Sequence, residues 1–288
     1  MTDVERYHVV TDALMPARDL LPVGAIGIDA GMTLTKVVRA TAGGIVLEAR
    51  ETGQAFERDA RPALARQQRA SAGVTGARSG WLTDGPGVTH VQEIEAAARG
   101  ASALLAADDR LGDGAFLLVL LGTGTAFAAV RGGSAHHLGG TPMGGGSFAG
   151  IARRVEAALT YEKMIAGAER GDRRRVDVMI SDVYPEGIGR VGPDLTAAHL
   201  ARAGAGSLDD FLAGLLNLHG ENIAQIAAGR AQAVKLSRIV LAGGFVHHNE
   251  RLATSITSMA GLFGMAVEVA PWPGYAGALG AALVAAGA

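Results

Sequence analysis

The chain has 288 residues, 49% of them hydrophobic and only 5% aromatic, with a net charge of −2 and no cysteine. Disulfides, thiolate metal sites and cysteine nucleophiles are therefore excluded, and without a basic stripe nucleic acid is not expected as a partner. The length suits two lobes of roughly 100–150 residues whose cores Ala, Val, Leu and Ile must fill.

Residues 1–22 read as an N-terminal extension. Asp3, Glu5, Arg6, Asp12, Arg18 and Asp19 break any stretch that would resemble a signal peptide. No run of 18 apolar residues occurs, so no membrane span and a cytoplasmic location are expected. Ala25–Ile28, Lys36–Arg39 and Gly44–Glu48 read as short strands of an antiparallel meander. Residues 57–70 are charged and Ala-rich with helical spacing, and Gly73–Gly76 reads as a strand end and turn. Glu93–Ala107 is predicted to be a helix, since Ile94, Ala97, Ala98, Ala101, Leu104 and Leu105 share one face. Phe116–Leu121 is the most apolar strand candidate, and Ala126–Val130 is a second strand. A helix is expected from about Phe148 to Leu159, a loop over 183–196 and a long helix over 208–234. Strand Ile239–Ala242, helix Arg251–Phe263, strand Ala266–Val269 and helix Ala276–Ala286 close the chain. The order is α/β, with two strand-rich centres that each open on an apolar strand ending in a Gly-Thr turn. The expected division is 23–115 for an N-terminal lobe and 116–288 for a C-terminal nucleotide-binding lobe, with a cleft between them.

The glycines, 42 in all, cluster at 122–124, 139–140, 144–146 and 243–244, where backbone must turn tightly or approach something closely. Asp29-Ala30-Gly31-Met32-Thr33-Leu34-Thr35-Lys36 follows a strand. Its Gly31 lets N–H groups approach phosphate, Thr33 and Thr35 offer hydroxyls, Lys36 offsets charge and Asp29 can hold Mg²⁺ through water. Alone, the same segment suits an ordinary hairpin. Gly122-Thr123-Gly124-Thr125 is a second such turn, and two of them fit loops gripping a triphosphate from opposite sides. Gly144-Gly145-Gly146-Ser147 opens a helix, whose N-terminus offers N–H groups and the positive dipole end to an anion. Gly243-Gly244 ends a buried strand, where an adenine ring can lie against backbone; a plain strand-to-helix turn reads equally well. Glu93 and Glu95 at a helix start are favoured by the dipole alone. His136-His137 and His247-His248 are adjacent pairs whose side chains diverge on a strand, which is poor geometry for chelating one ion.

Taken together, IGIDAGMTLTK, EIEAAARG, GTGT followed by LGGTPMGGGSFAG, AERGDRRRVDVMISDVYPE, RIVLAGGFVHHN and GYAGALGAAL resemble the type II pantothenate kinases of the actin-like ATPase superfamily. The resemblance runs from about 25 to 285. It implies a two-lobed, ribonuclease H-like α/β fold with mixed sheets and a nucleotide cleft between the lobes. It also implies ATP-dependent phosphorylation of pantothenate to 4′-phosphopantothenate, the first step of coenzyme A biosynthesis, with Mg²⁺. Glu93 would be the general base. The nucleotide contacts implied are Asp29, Gly31, Thr33, Lys36, Thr123, Gly144, Gly145, Gly146, Ser147, Tyr161, Gly243 and Gly244. The acceptor contacts are Glu93, Thr123, Thr125 and His137. A homodimer is implied, with coenzyme A or an acyl-CoA as feedback ligand. The chain departs from the family at Met32, at Ala126, and at His137, which stands where the family has a pantothenate-contacting arginine. Another hydroxyl acceptor, such as pantetheine or a sugar, and a non-catalytic nucleotide- or CoA-binding regulator are the alternatives.

Overall fold

In a computed structural model, which describes residues 10–15, 20–52, 71–82, 87–189, 191–202, 204 and 206–287, the strand-forming runs pair into two larger sheets built on one plan. The first holds β1 (Val10–Met15), β2 (Ile26–Ala30), β3 (Leu34–Thr41), β4 (Gly44–Glu51), β5 (Ala72–Thr75) and β6 (Val88–His90), ordered β1-β4-β3-β2-β5-β6. Helix α1 (Glu93–Ala107) leads to β7 (Phe116–Leu121), β8 (Thr125–Arg131) and β9 (Ser134–Thr141). Next come α2 (Gly145–Val155), α3 (Tyr161–Arg170), the two-stranded β10 (Val178–Met179) with β11 (Thr196–Ala198), and α4 (Leu208–Ala233). The chain closes with β12 (Arg238–Ala242), α5 (Glu250–Gly261), β13 (Ala266–Val269) and α6 (Ala276–Ala286). The second sheet runs β13-β12-β7-β8-β9.

Without β1 the two orders coincide: β4-β3-β2-β5-β6 matches β9-β8-β7-β12-β13. Each is an antiparallel meander of three strands followed by two parallel ones. The weak duplication seen in the Gly-Thr turns is thus a duplication of topology. β7 is apolar throughout because it is covered on both faces. Phe116 and Leu118 pack with α1 and α6, whereas Leu117, Val119 and Leu121 pack with α2, α3, α4 and α5.

Helix α1 starts where Gln92 caps it, its side-chain oxygen accepting from the N–H groups of Ile94 and Glu95. The face read from its spacing is the one buried. Helix α6 lies against α1 and against β2 and β5 of the first sheet. Glycines make that possible: a Cβ on Gly27, Gly73 or Gly100 would fall 1.8 Å from the carbonyl oxygens of Ala278, Ala281 and Ala276 respectively, and one on Gly280 1.7 Å from that of Ala96.

The structure differs from the expectations in four places. Val10–Met15, inside the segment read as an extension, pairs antiparallel with β4. Residues 276–286, assigned by sequence to the second lobe, pack on the first sheet. The helix expected over Phe148–Leu159 stops at Val155, and Thr160 caps a new one, accepting from the Lys163 N–H. Gly139-Gly140, read as a place of tight turning or close approach, lies within strand β9. The helical reading of 57–70 lies outside the described residues.

Candidate active site

A cavity of about 540 Å³ takes its walls from both sheets. The β2–β3 turn supplies Asp29, Gly31, Met32, Thr33 and Lys36; the β7–β8 turn supplies Gly122, Thr123, Gly124 and Thr125. Gly145 and Gly146 of α2, Gly243 and Gly244 after β12, Tyr161 of α3 and Glu93 of α1 complete it. Twelve of the fifteen sequence-predicted site residues therefore converge, from segments spread over more than 200 positions.

The topology explains the convergence. β2 and β7 occupy equivalent central places in the two sheets, so their C-terminal turns face each other. The Thr33 and Thr123 hydroxyls lie 3.4 Å apart across the cavity. Lys36 Nζ is 3.7 Å from Asp29 Oδ2. Asp29 is tightly seated, since a Cβ on Gly76 would fall 2.6 Å from one of its oxygens and one on Gly277 3.0 Å from the other.

The glycine triplet serves a different purpose from the one expected. The Gly145 N–H donates to the Gly122 carbonyl and the Gly146 N–H to that of Thr123, both at 2.9 Å. These N–H groups join the two loops rather than face the cavity as donors. The approach is so close that a Cβ on Gly144 would sit 2.7 Å from the Thr123 oxygen, and one on Gly146 2.5 Å from Thr123 Cγ2. By contrast the N–H groups of Thr123 and Gly124 carry no hydrogen bond among the described residues. Thr125 lines the cavity, but its hydroxyl donates to the Met143 carbonyl at 2.8 Å. Gly243 needs its left-handed φ of 106° to turn beneath Leu121.

Gly144 and Ser147 lie behind the wall rather than in it. The Gly144 N–H donates to Ser147 Oγ at 3.0 Å, and Ser147 Oγ is 2.8 Å from His219 Nε2. His137 is exposed on β9 opposite Ala128, outside the cavity lining, and His136 beside it is also exposed.

Glu93 and Asp29 are the carboxylates of the lining. Glu93 reaches solvent through the cavity, yet the enclosing walls push its pKa above the ordinary carboxylate value. The Asp29 carboxylate pushes the same way, and the Lys36 ammonium pulls against both. Glu93 is thus a carboxylate of enhanced basicity at the junction of the two lobes. Asp29, a hard oxygen donor among phosphate-suited groups, fits a Mg²⁺ held through water and by ligand phosphates, a mode that needs few protein ligands. No cluster of three metal-ligating side chains exists among the described residues.

Sequence reading missed Ala149, Gly150, Arg153 and Phe245, which also line the cavity. Three of them were legible: Gly146, Ala149, Gly150 and Arg153 follow the i, i+3, i+4, i+7 spacing of one helix face. Phe245 had no local signal.

A sequence model of the Fumble family matches residues 114–284. The chain is 32% identical to a type II pantothenate kinase from Oceanobacillus iheyensis over 262 residues, covering 90% of this chain and 98% of that protein. It is 27% identical to one from Staphylococcus aureus over 268 residues, covering 89% and 97%. Among solved structures, the activator of the 2-hydroxyisocaproyl-CoA dehydratase from Clostridium difficile with bound ADPNP has a TM-score of 0.60 at 17% identity, over 91% of this chain and 93% of that one. A ROK hexokinase from Thermus thermophilus gives 0.53 at 16%, over 90% and 97%. The fold is the two-lobed α/β architecture of the actin-like ATPases, as the sequence predicted.

Proposed function

Because the chain belongs to the type II pantothenate kinase family, we propose that it transfers the γ-phosphoryl group of ATP to the primary hydroxyl of pantothenate, giving 4′-phosphopantothenate and ADP at the start of coenzyme A biosynthesis. The observation that carries this reading is the meeting of two glycine turns, Lys36 and Glu93 in one cavity. Phosphoryl transfer requires positioning and charge neutralisation more than covalent chemistry. The phosphates lie between the β2–β3 and β7–β8 turns. The Thr33 and Thr123 hydroxyls and the N–H groups of Thr123 and Gly124 donate to their oxygens, and Lys36 offsets their charge. Gly146, Ala149 and Gly150 leave room for the nucleoside along α2, toward Tyr161 and the Gly243-Gly244 turn. Asp29 would hold Mg²⁺, and the ion would neutralise charge on the phosphates. Glu93 orients the acceptor hydroxyl and takes its proton as the new P–O bond forms. An acceptor contact from His137 requires a homodimer that completes the site, because His137 lies outside this cavity. Coenzyme A or an acyl-CoA is the feedback ligand of this reading.

The test is ADP release from ATP·Mg²⁺ with pantothenate, pantetheine or glucose as acceptor, with product masses recorded. Pantothenate-dependent ADP release and a product one phosphate heavier are expected. Turnover confined to pantetheine or the sugar, or nucleotide binding without turnover, would refute the assignment.

A further inference from the structure

His219 sits in the middle of α4, only 1% exposed, and the reaction above makes no use of it. Its Nδ1 is 2.9 Å from the Leu215 carbonyl oxygen, one turn earlier in the helix. A carbonyl only accepts, so Nδ1 carries the proton. In a neutral ring Nε2 is then an acceptor. Burial holds the imidazole below its ordinary pKa and so keeps it neutral; the Leu215 carbonyl bond opposes this more weakly.

Nε2 is 2.8 Å from Ser147 Oγ. The hydroxyl has one hydrogen and two candidate acceptors, Nε2 and the Gly144 carbonyl at 3.1 Å. With Nε2 unprotonated and closer, the hydrogen points to the imidazole. That leaves the Ser147 lone pairs for the Gly144 N–H. Gly144 is thereby anchored at the start of α2, and the next two N–H groups donate to Gly122 and Thr123. The ring itself is held edge-on by Phe148, at 5.9 Å, and by Phe245, at 6.1 Å. Phe245 directly follows the Gly243-Gly244 turn, so one imidazole touches the supports of both glycine turns.

We propose that His219 is a positioning residue of the nucleotide site: fixed as its Nδ1–H tautomer, it orients the Ser147 hydroxyl and through it holds residues 144–146 against 122–124. This rests on reading the cavity as the ATP site, and on nothing about the acceptor. Ser147 is then an organiser of the loop junction and not a phosphate donor.

The experiment has two arms. First, ¹⁵N–¹H correlation of the histidine ring nitrogens in the full-length protein at pH 7, assigned with His219→Gln, should report the Nδ1–H tautomer for His219. An Nε2–H tautomer or a cationic ring would overturn the inference. Second, calorimetry should give the dissociation constant for ADP·Mg²⁺ in His219→Phe, Ser147→Ala, the double variant and His219→Gln. Losing an oriented buried hydrogen bond is expected to weaken nucleotide binding on the order of tenfold in either single variant. The double variant should be no weaker than the worse single, because both act through one junction. Gln, whose side-chain oxygen can accept from Ser147, should recover part of the loss. Unchanged affinity in folded single variants, or fully additive losses, would overturn it. A wild type that binds nucleotide but phosphorylates no pantothenate would count against the proposed acceptor alone.

Discussion

Replacing Glu93 with Gln keeps the shape of the side chain and removes its basicity. General-base catalysis contributes about 10²–10⁴-fold, equivalent to roughly 2.7–5.5 kcal/mol of barrier, and kcat should fall by that factor while ATP affinity is kept. The stability effect has the opposite sign from what a surface helix start would give. At an N-terminus a carboxylate ordinarily gains about 0.3–1 kcal/mol from the dipole, and its loss would lower Tm. Here the walls and Asp29 disfavour the charged form, and the raised pKa records that they outweigh Lys36. The folded protein binds the Glu93 proton more tightly than the unfolded chain does. Stability from this group is therefore present below the ordinary value of 4.5 and declines as pH rises through the raised one. At pH 7 the Gln variant should consequently melt no lower than the wild type. The same raised pKa moves the acid limb of the kcat/KM profile upward from the ordinary carboxylate value. Glu95→Gln is the control: it follows on the exposed side of α1 and should change kcat little. Steady-state kinetics and thermal melts of both variants decide the matter. A Glu93→Gln enzyme that keeps most of its turnover would refute the base assignment.

Three further outcomes follow from the packing and the charges. Gly146→Ala places a methyl 2.5 Å from Thr123 Cγ2 and should push the two loops apart, raising the ATP KM more than the pantothenate KM. Gly100→Ala puts a Cβ 1.8 Å from the Ala276 carbonyl and should cost at least about 1–3 kcal/mol in urea unfolding, the range of overpacked cores. His199 lies 3.3 Å from Glu221 and 3.9 Å from Asp177; burial opposes its charge, but the two carboxylates win and raise its pKa to about 9. Its stabilisation is complete below 6.5 and disappears as pH rises through about 9, so Tm should fall across that window in the wild type. In His199→Gln, Tm should be lower than wild type below that window, converge with it above about pH 9, and be flatter with pH.

Local chemistry made much of this molecule readable. The six-residue apolar run of β7, the one-sided face of α1 and the Gly-Thr turns announced both sheets and the cavity between them. Elements set by distant partners were harder to read. β1 is a strand because β4 offers it an edge, and nothing in VTDALM fixes that pairing. The break after Val155 follows from the Thr160 cap, a two-residue signal masked by the surrounding helical composition. The glycine triplet drew attention to the right place for an incomplete reason, since a glycine required by the backbone of another loop looks the same in sequence as one required by a phosphate. His219 was invisible because its meaning depends on Ser147, 72 positions earlier.

The groove that accepts helix α6 has a consequence for how the chain is made. Its walls, Gly27, Gly73 and Gly100, emerge from the ribosome early, and its occupant emerges after β13. At about 5–20 residues per second, translation from residue 90 to residue 283 takes roughly 10–40 s. Throughout that interval the nascent first sheet has its strands but not its cover. Ala278, Leu279 and Ala282, which join one buried cluster with Val38 and Leu47 of that sheet, are still unmade. The second sheet's own cluster, from Leu117 to Val269, needs nothing from that helix, so the half made first is the half whose core is completed last.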